Sequence, residues 1–378
     1  MTGYLSIVEK ATSVKRIGVL QSPTANSLGI ADFTYRPVFS VFDFGTIVPP
    51  VLLDNSTVSL MAGFNFELLR ERGIDSHYYG LITDKEKRVS AKEIILHRLD
   101  PPRTMRVKYA NRLMPEFRDG KWDYSMFGKG DITCYIQPIE FISRNSLPES
   151  SSVWKRIKRG EISLEDLGLP SDFKVGDNVS ESLAPILDYS TKFEPDDRYL
   201  SPKKAKELMG VSDGVFEDIN EITRAASRIM TDYAASRGFK REDGKVEIIS
   251  QNISPEILLA DAVCTWHEDR LTFGGIGISK QRIRDQVKVL NPQWYGEIER
   301  AKQEAVDRGI EDFRTLMNPS ITYVSPSPEF FEAINNLFRA GTNQWVGSKV
   351  YDVYPGQNNS LVSDLEKTVE KFQEVIRR

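Results

Sequence analysis

The segment Asp243-Gly244-Lys245-Val246-Glu247 places charged side chains at alternating positions. Because successive side chains of a β-strand point to opposite faces, Asp243, Lys245 and Glu247 would share one face of a strand. Taken alone, this pattern is more ordinarily a strand face exposed to solvent. Whether it is instead a functional site depends on what the next strand brings to the same face.

The next predicted strand carries Asp261 within the apolar run of residues 258–263. Burying a lone carboxylate costs several kcal/mol unless a cation or hydrogen-bond donors compensate it. If the two strands pair as a hairpin, Glu247 and Asp261 face one another. Two carboxylates at one site suit Mg2+, which completes its shell with water and phosphate oxygens. The sequence therefore predicts a magnesium site formed by Glu247 and Asp261.

Two further segments carry groups suited to binding anions. Arg144 follows an apparent strand, and Ser151-Ser152-Val153-Trp154-Lys155 comes shortly after it. An arginine and a serine on such a loop can hold a phosphate, although a basic surface loop explains them equally well. Lys280 and Arg284 lie in a basic turn after glycine-rich sequence. That turn has little meaning as a lone feature.

The elements that must position these residues are mainly strands early in the chain and helices late. This order, with strand pairs in both halves, indicates an α+β fold rather than alternating βαβ units. Periodicity and turn residues predict strands within 29–44 on either side of Pro37, a hairpin of 92–99 with 104–109, and strands over 132–143, 245–250 and 257–265. They predict helices over 57–70, 213–237, 294–308, 328–340 and 361–378.

Composition and charge exclude several classes of function. The chain has 378 residues, and 50 basic against 54 acidic residues give it a net charge of -4, without a long basic run. That balance argues against nucleic-acid binding. No window reaches the ~18 apolar residues of a membrane span, so a cytoplasmic location without membrane contact is expected. The two cysteines, Cys134 and Cys264, lie in apolar runs and are expected to be buried thiols.

Taken together and in order, the segments resemble the SAICAR synthetase family. The resemblance covers residues 15–290. It rests on Ser40-Val41-Phe42-Asp43, Glu140 to Arg144, Ser151 to Lys155, Pro185 through Lys192 to Glu194, Asp243-x-Lys245-x-Glu247, Asp261, Arg270, Lys280 and Arg284.

The resemblance implies a two-lobed α+β fold of antiparallel sheets flanked by helices, with an ATP-grasp- or kinase-like nucleotide cleft. We divide the chain accordingly into a nucleotide-binding lobe (1–137, with an insertion at 115–131), a catalytic lobe (138–290) and a helical C-terminal extension (291–378).

The resemblance also implies an activity. ATP would phosphorylate the carboxylate of carboxyaminoimidazole ribotide (CAIR), and the amine of L-aspartate would displace the phosphate to form SAICAR in purine biosynthesis. The cofactors would be ATP and Mg2+, the partners would be these small molecules, and a homodimer is possible. The implied roles are metal binding by Glu247 and Asp261, catalysis by Lys245 and Asp243, nucleotide binding by Glu140, and substrate binding by Ser40, Asp43, Arg144, Ser152, Lys192, Arg270, Lys280 and Arg284.

The chain departs from the family pattern in three places. Gly18-Val19-Leu20-Gln21 and Pro49-Pro50 stand where the family has phosphate-facing lysines, and Trp266-His267-Glu268-Asp269 replaces a proline-aspartate-serine-serine segment. Two alternatives therefore stay open: a ligase of the same fold acting on a different carboxylate, and a non-catalytic nucleotide-binding homologue. The expected substitutes for the missing lysines are Ser22, Asn26, Ser27 and Lys108.

Overall fold

The computed structural model describes residues 7–9, 14–179, 183–251 and 254–377. The strands are β1 (Ile7–Glu9), β2 (Lys15–Gln21), β3 (Gly29–Tyr35), β4 (Phe39–Val41), β5 (Gly45–Val48), β6 (Tyr78–Ile82), β7 (Arg88–Val89), β8 (Thr104–Tyr109), β9 (Glu116–Arg118), β10 (Lys121–Asp123), β11 (Cys134–Ile136), β12 (Ile139–Arg144), β13 (Ile186–Thr191), β14 (Tyr199–Leu200), β15 (Phe239–Gln251), β16 (Ser254–Ala260), β17 (Arg270–Phe273) and β18 (Ile276–Gly277). The helices are α1 (Ser56–Glu71), α2 (Ala91–His97), α3 (Ser152–Lys158), α4 (Pro202–Met209), α5 (Asp213–Ser236), α6 (Gln281–Leu290), α7 (Pro292–Arg308), α8 (Pro328–Val346) and α9 (Leu361–Arg377).

The first lobe is built on an antiparallel sheet with the strand order β2-β3-β8-β6-β7, and α1 packs against it. Most residues of α1 are buried, including Phe66 and Leu69. The predicted strand over 92–99 is wrong, because these residues belong largely to helix α2. Ser90 and Glu93 form a capping box that starts this helix, and the predicted partner strand β8 pairs with β3 and β6 instead.

The second lobe is built around β15, which runs for 13 residues. Its sheet has the order β14-β13-β12-β15-β17-β18, and β11 and β16 also pair with β15. The single strand predicted over 132–143 is divided at Gln137-Pro138 into β11 and β12, both of which pair with β15. The predicted hairpin of the two later strands is confirmed as β15 and β16, although β16 ends at Ala260 rather than at residue 265.

The predicted helices of the C-terminal extension are confirmed as α7, α8 and α9. Helix α8 is a core element rather than a peripheral addition to the fold. Asn335 on α8 accepts a hydrogen bond from the backbone of Asp54, and the indole of Trp345 donates to Asn65 on α1. One hydrophobic cluster runs through both lobes and the extension, so all three parts share a core.

Two expectations from composition can also be compared with the structure. Cys134 and Cys264 are both buried and unbridged, as predicted. None of the helices in the described ranges is long and apolar enough to cross a bilayer.

Candidate active site

A cleft of about 810 Å³ receives side chains from both lobes and from the C-terminal extension. Most of the residues that the sequence singled out meet here. Those lining the cleft are Ser40, Asp43, Lys108, Glu140, Arg144, Ser152, Lys192, Asp243, Lys245, Glu247, Asp261, Arg270, Lys280 and Arg284.

Strand β15 determines the long axis of the cleft. Its alternate residues Asp243, Lys245, Glu247 and Ile249 all line the cleft, which confirms the predicted shared face. At a rise of about 3.3 Å per residue, Asp243 and Ile249 lie roughly 20 Å apart along the strand. The cleft is therefore long enough for an extended ligand or for two ligands in a row.

The two ends of this axis differ in chemistry. Ile249 pairs with Ile136 of β11, and both line the cleft and pack with Ala110 in one hydrophobic cluster. We call this set the apolar end. At the opposite end, Asp243 lies between Arg144 of β12 and Arg270 of β17, which are its register partners on either side. We call this second set the arginine end.

Glu247 and Asp261 lie between the two ends and line the same cleft. Glu247 pairs in register with Ala260, and Asp261 follows at the end of the strand with a left-handed backbone (φ 69°). Lys192 forms a salt bridge with Glu247, and Lys15 forms one with Asp261. Although burial opposes ionisation, the charges of Lys192 and Lys15 hold the pKa of Glu247 below its usual value.

These two carboxylates are a small donor set for a metal. Within the described part of the chain, no group of three or more histidine, cysteine, aspartate or glutamate side chains is arranged to hold an ion. Mg2+ does not require such a group, because one or two carboxylates are enough when phosphates and water complete its shell. The predicted magnesium site at Glu247 and Asp261 stays a prediction.

Lys15 is a cleft cation that the sequence analysis missed. Lys15 is the first residue of β2, three residues before Gly18, where the family's lysine motif would begin. Only 13% of its side chain is exposed. Burial lowers the pKa of Lys15 to about 8, and the charges of Glu247 and Glu268 oppose that shift. Lys15 is followed directly by Arg16, so the local sequence gives no sign that this lysine enters the cleft.

The turn after β2, where phosphate contacts are predicted, is not part of the described cleft lining. Ser22, Asn26 and Ser27 are not among the described residues that line the cleft. The hydroxyl groups of Ser27 and Thr24 lie 2.7 Å apart, and Asn26 accepts a hydrogen bond of 3.0 Å from Thr133. The turn therefore uses its polar groups to close on itself and on the neighbouring segment, whereas Lys108 does line the cleft.

Lys245 lies between two carboxylates, one of which the sequence analysis did not assign. Its Nζ is 2.8 Å from Glu140 and 3.5 Å from Glu268. Burial lowers the pKa of Lys245, but these two carboxylates outweigh it and hold the pKa well above the usual value. Lys245 is therefore a fixed positive charge near the middle of β15.

Arg144 is fully buried, with 2% of its side chain exposed. Its guanidinium lies 2.9 Å from Asp188 and 3.2 Å from Asp243, and it also donates to the hydroxyl groups of Ser151 and Ser152 at 3.4 and 3.3 Å. Protein acceptors thus occupy much of its donor capacity. Arg144 holds Asp243 and Ser152 in place as well as lining the cleft.

Arg270 is the more accessible arginine of this end. It pairs with Asp243 and donates to the backbone oxygen of Ser150 at 3.2 Å. Its Nε is buried without a hydrogen-bond partner among the described residues. Because 26% of its side chain is exposed, Arg270 is still open to a ligand in the cleft.

The N-terminal corner and the extension complete the cleft. Lys280 lies with its Nζ 3.3 Å from Ser40 Oγ, and burial followed by the charge of Arg284 lowers the pKa of Lys280 to about 7. Asp43 pairs at 2.6 Å with Lys302 of α7. The extension therefore orients a residue that the sequence placed in the site.

The altered segment at residues 266–269 is anchored on the extension. The Trp266 ring stacks on Phe338 of α8 with centroids 6.0 Å apart, and its indole N–H donates to Thr342 at 2.9 Å. His267 and Glu268 then line the cleft. This segment, which differs from the family pattern, is thus packed against a helix some 70 residues further along the chain.

A two-lobed α+β protein with a deep polar cleft between antiparallel sheets is the class that this fold and site define. The chain matches the SAICAR synthetase family model over residues 119–301. It is 33% identical over 362 residues to an Archaeoglobus fulgidus protein with the provisional name phosphoribosylaminoimidazole-succinocarboxamide synthase, and the alignment covers 95% of this chain and 99% of that protein.

Two further relatives agree with this match. The phosphoribosylaminoimidazole-succinocarboxamide synthase of Thermoplasma volcanium is 28% identical over 243 residues, which cover 63% of this chain and 68% of the relative. The SAICAR synthase of Saccharomyces cerevisiae, solved as a complex with SAICAR, has a TM-score of 0.52 at 17% identity over 88% of this chain and 96% of that one, a likeness of fold alone. The chain belongs to the SAICAR synthetase family.

Proposed function

We propose that this chain is an ATP- and Mg2+-dependent ligase that joins L-aspartate to the carboxylate of CAIR and forms SAICAR in purine biosynthesis. The observation that carries the proposal is the order of cleft-facing residues on β15. Ile249, Glu247, Lys245 and Asp243 form an apolar, an acidic, a cationic and an arginine-bound position along one strand. In a chain of this family, that order suits a nucleotide at one end and a ribotide at the other.

The nucleotide would occupy the apolar end. Its base would contact Ile17, Ile136 and Ile249, and its phosphates would extend toward Lys15 and Lys245. These two ammonium groups offset phosphate charge in a buried setting, where electrostatic attraction is stronger than in water.

Glu247 and Asp261 would hold the magnesium ion. Both line the cleft, and the lowered pKa of Glu247 favours the ionised form that a metal ligand needs. When bound, the ion neutralises charge on the phosphate oxygens during phosphoryl transfer. In its absence, the salt bridges with Lys192 and Lys15 balance the two carboxylates.

The reaction has two steps, and the protein contributes chiefly alignment. The CAIR carboxylate oxygen attacks the γ-phosphorus of ATP, ADP leaves, and an acyl phosphate forms. The neutral amine of L-aspartate then attacks the acyl carbon and forms the C–N bond. The C–O bond to the phosphate breaks, phosphate leaves with the electron pair, and the amine proton passes to solvent. Lys245 would lie beside the reacting carboxylate, where a fixed positive charge stabilises the negative charge that develops.

The arginine end would bind the ribotide. Arg270 and Ser152 are the direct contacts that we propose for its phosphate, since both line the cleft and the Arg270 side chain is 26% exposed. Arg144 would act mainly as a positioning residue, because Asp188, Asp243 and two serines occupy its guanidinium. Lys280 and Arg284 add positive charge to the rim.

A single assay tests the proposal. Purified protein is incubated with ATP, Mg2+, CAIR and L-aspartate, and both ADP and SAICAR are quantified. Equal amounts of the two products, dependent on all four additions, are expected.

The same assay separates the competing functions. ADP formation with another carboxylate but not with CAIR would instead identify a ligase of changed substrate, an outcome that the added carboxylate of Glu268 in the cleft favours. Nucleotide binding by calorimetry without ADP formation from any carboxylate would identify a non-catalytic nucleotide-binding homologue.

A further inference from the structure

His267 is a buried polar residue that the mechanism above does not use. It is 5% exposed and lines the cleft, and neither of its ring nitrogens has a hydrogen-bond partner among the described residues. Buried polar groups in native proteins nearly always have a partner, because leaving one unpaired costs free energy. Two buried, unpartnered nitrogens on a residue that lines the cleft therefore point to a ligand.

The other two histidines provide a contrast. His77 is also buried and lines the same cleft, but its Nε2 lies 3.2 Å from the backbone oxygen of Asp261. His97 is exposed at the end of α2. Of the three histidines, only His267 combines burial, a place on the cleft and ring nitrogens that have no partner among the described residues.

The position of the His267 ring is fixed by the extension. The ring meets Phe338 of α8 edge-on at 6.4 Å, next to the stack of Trp266 on the same phenylalanine. The backbone of Trp266 also accepts a hydrogen bond of 2.7 Å from the backbone of Lys280. His267 is therefore presented to the cleft on a rigid support, beside the cationic rim.

The charges around His267 keep its imidazole neutral. Burial and then the charges of Lys280, Lys15 and Arg284 lower the pKa of His267 to about 3, and Glu268 on the same turn opposes that shift. A neutral imidazole offers one N–H donor and one unprotonated acceptor nitrogen. The same cations disfavour an ammonium ion at this place and favour an uncharged amine.

We infer that His267 is a contact for the amino-acid substrate, and that its unprotonated nitrogen accepts a hydrogen bond from the attacking amine. The amine must be uncharged to attack, and His267 can accept from it without adding charge. This inference rests on the proposed function and concerns its amine-binding subsite.

Histidine NMR tests the contact directly. With three histidines in the chain, ¹⁵N-labelled histidine gives few ring signals, and His267→Phe identifies the His267 pair by its disappearance. L-Aspartate is added to wild-type protein saturated with ADP and Mg2+. We expect the ring nitrogens of His267 to shift with aspartate, while those of His97 stay in place.

Two results would overturn the contact. The first is a His267 signal that does not respond to L-aspartate at saturating concentration. The second is a signal that responds to CAIR alone and not further to aspartate, because that response would place the imidazole against the ribotide.

Kinetics provides the second test. His267→Phe keeps the packing on Phe338 but removes the acceptor, and loss of one hydrogen bond is expected to raise the KM for L-aspartate about tenfold. The KM for ATP should stay unchanged. His267→Gln retains an acceptor and should recover part of the loss, and His97→Phe is the matched control at an exposed position. An unchanged KM for aspartate in His267→Phe would refute the inference.

The two proposals fail separately. If wild-type protein forms no SAICAR but L-aspartate still shifts the ring signals of His267, the amine subsite is supported and the proposed reaction is refuted. If SAICAR forms at a normal rate while the ring signals of His267 do not respond to L-aspartate, the proposed reaction is supported and the amine subsite is refuted.

Discussion

Lys280 provides a quantitative test of the electrostatics of the cleft. It is 8% exposed, and burial together with Arg284 lowers its pKa to about 7. At pH 7.5 only about one quarter of Lys280 would therefore carry a proton. Binding of the anionic ribotide CAIR should raise that pKa, so Lys280 should take up about 0.75 proton on binding.

Lys15 adds a smaller contribution. Its pKa of about 8 leaves roughly three quarters of the side chain protonated at pH 7.5, so a nearby anion would draw in about 0.25 proton more. The total expected uptake is about one proton per site. Because protons are taken up, the affinity for CAIR should fall as the pH rises above about 7.

Titration calorimetry in buffers of different ionisation enthalpy, such as HEPES and Tris, measures this uptake. CAIR is titrated into protein that is saturated with ADP and Mg2+. Lys280→Arg keeps the positive charge, but arginine remains protonated throughout this range. The variant should therefore bind CAIR with an uptake that is lower by about 0.75 proton.

The control for this experiment is Lys204→Arg, at a side chain that is 52% exposed on α4. It should reproduce the wild-type uptake. Equal uptake by wild-type protein and Lys280→Arg would show that Lys280 is already charged before binding, and the reasoning from burial would then be refuted.

Two further predictions follow from the paired charges of the cleft. Glu247→Gln and Asp261→Asn should each abolish Mg2+-dependent SAICAR formation and leave the circular dichroism spectrum unchanged. Glu221→Gln, at an exposed site on α5, is the control. Wild-type turnover in either cleft variant would refute the metal assignment. Arg144→Met should lower the free energy of unfolding by about 1–3 kcal/mol in a urea titration, because it removes one of the two guanidinium groups that balance the buried carboxylate of Asp188, at 2.9 Å. A loss below about 1 kcal/mol would show that Arg156, 2.6 Å from Asp188, balances that charge alone.

Local patterns in the sequence predicted much of the architecture. The shared face of Asp243, Lys245 and Glu247 follows from the two-residue period of a strand, and the long helix α5 from its apolar stripe. The error at residues 92–99 was avoidable. Ser90 and Glu93 form a capping box that is visible in the sequence and indicates a helix start.

Other features had no local signal. Asn26 does not line the cleft, and its side chain accepts a hydrogen bond from Thr133 instead. Lys15 was missed because its partner Asp261 lies far along the chain. The packing of α8 under Trp266 likewise joins segments that are distant in the chain. Such contacts depend on how the sheets and helices assemble.

The sequence by itself determined which chemical groups this protein possesses and which of them share a strand or a helix face, because those relations depend only on the repeat of the local backbone. The tertiary structure decided which charges meet in the cleft and how strongly each is perturbed. Lys280 and His267 are ordinary residues in the sequence. Their lowered pKa values arise from burial and from neighbours such as Arg284 and Lys15, which only the folded chain brings to them.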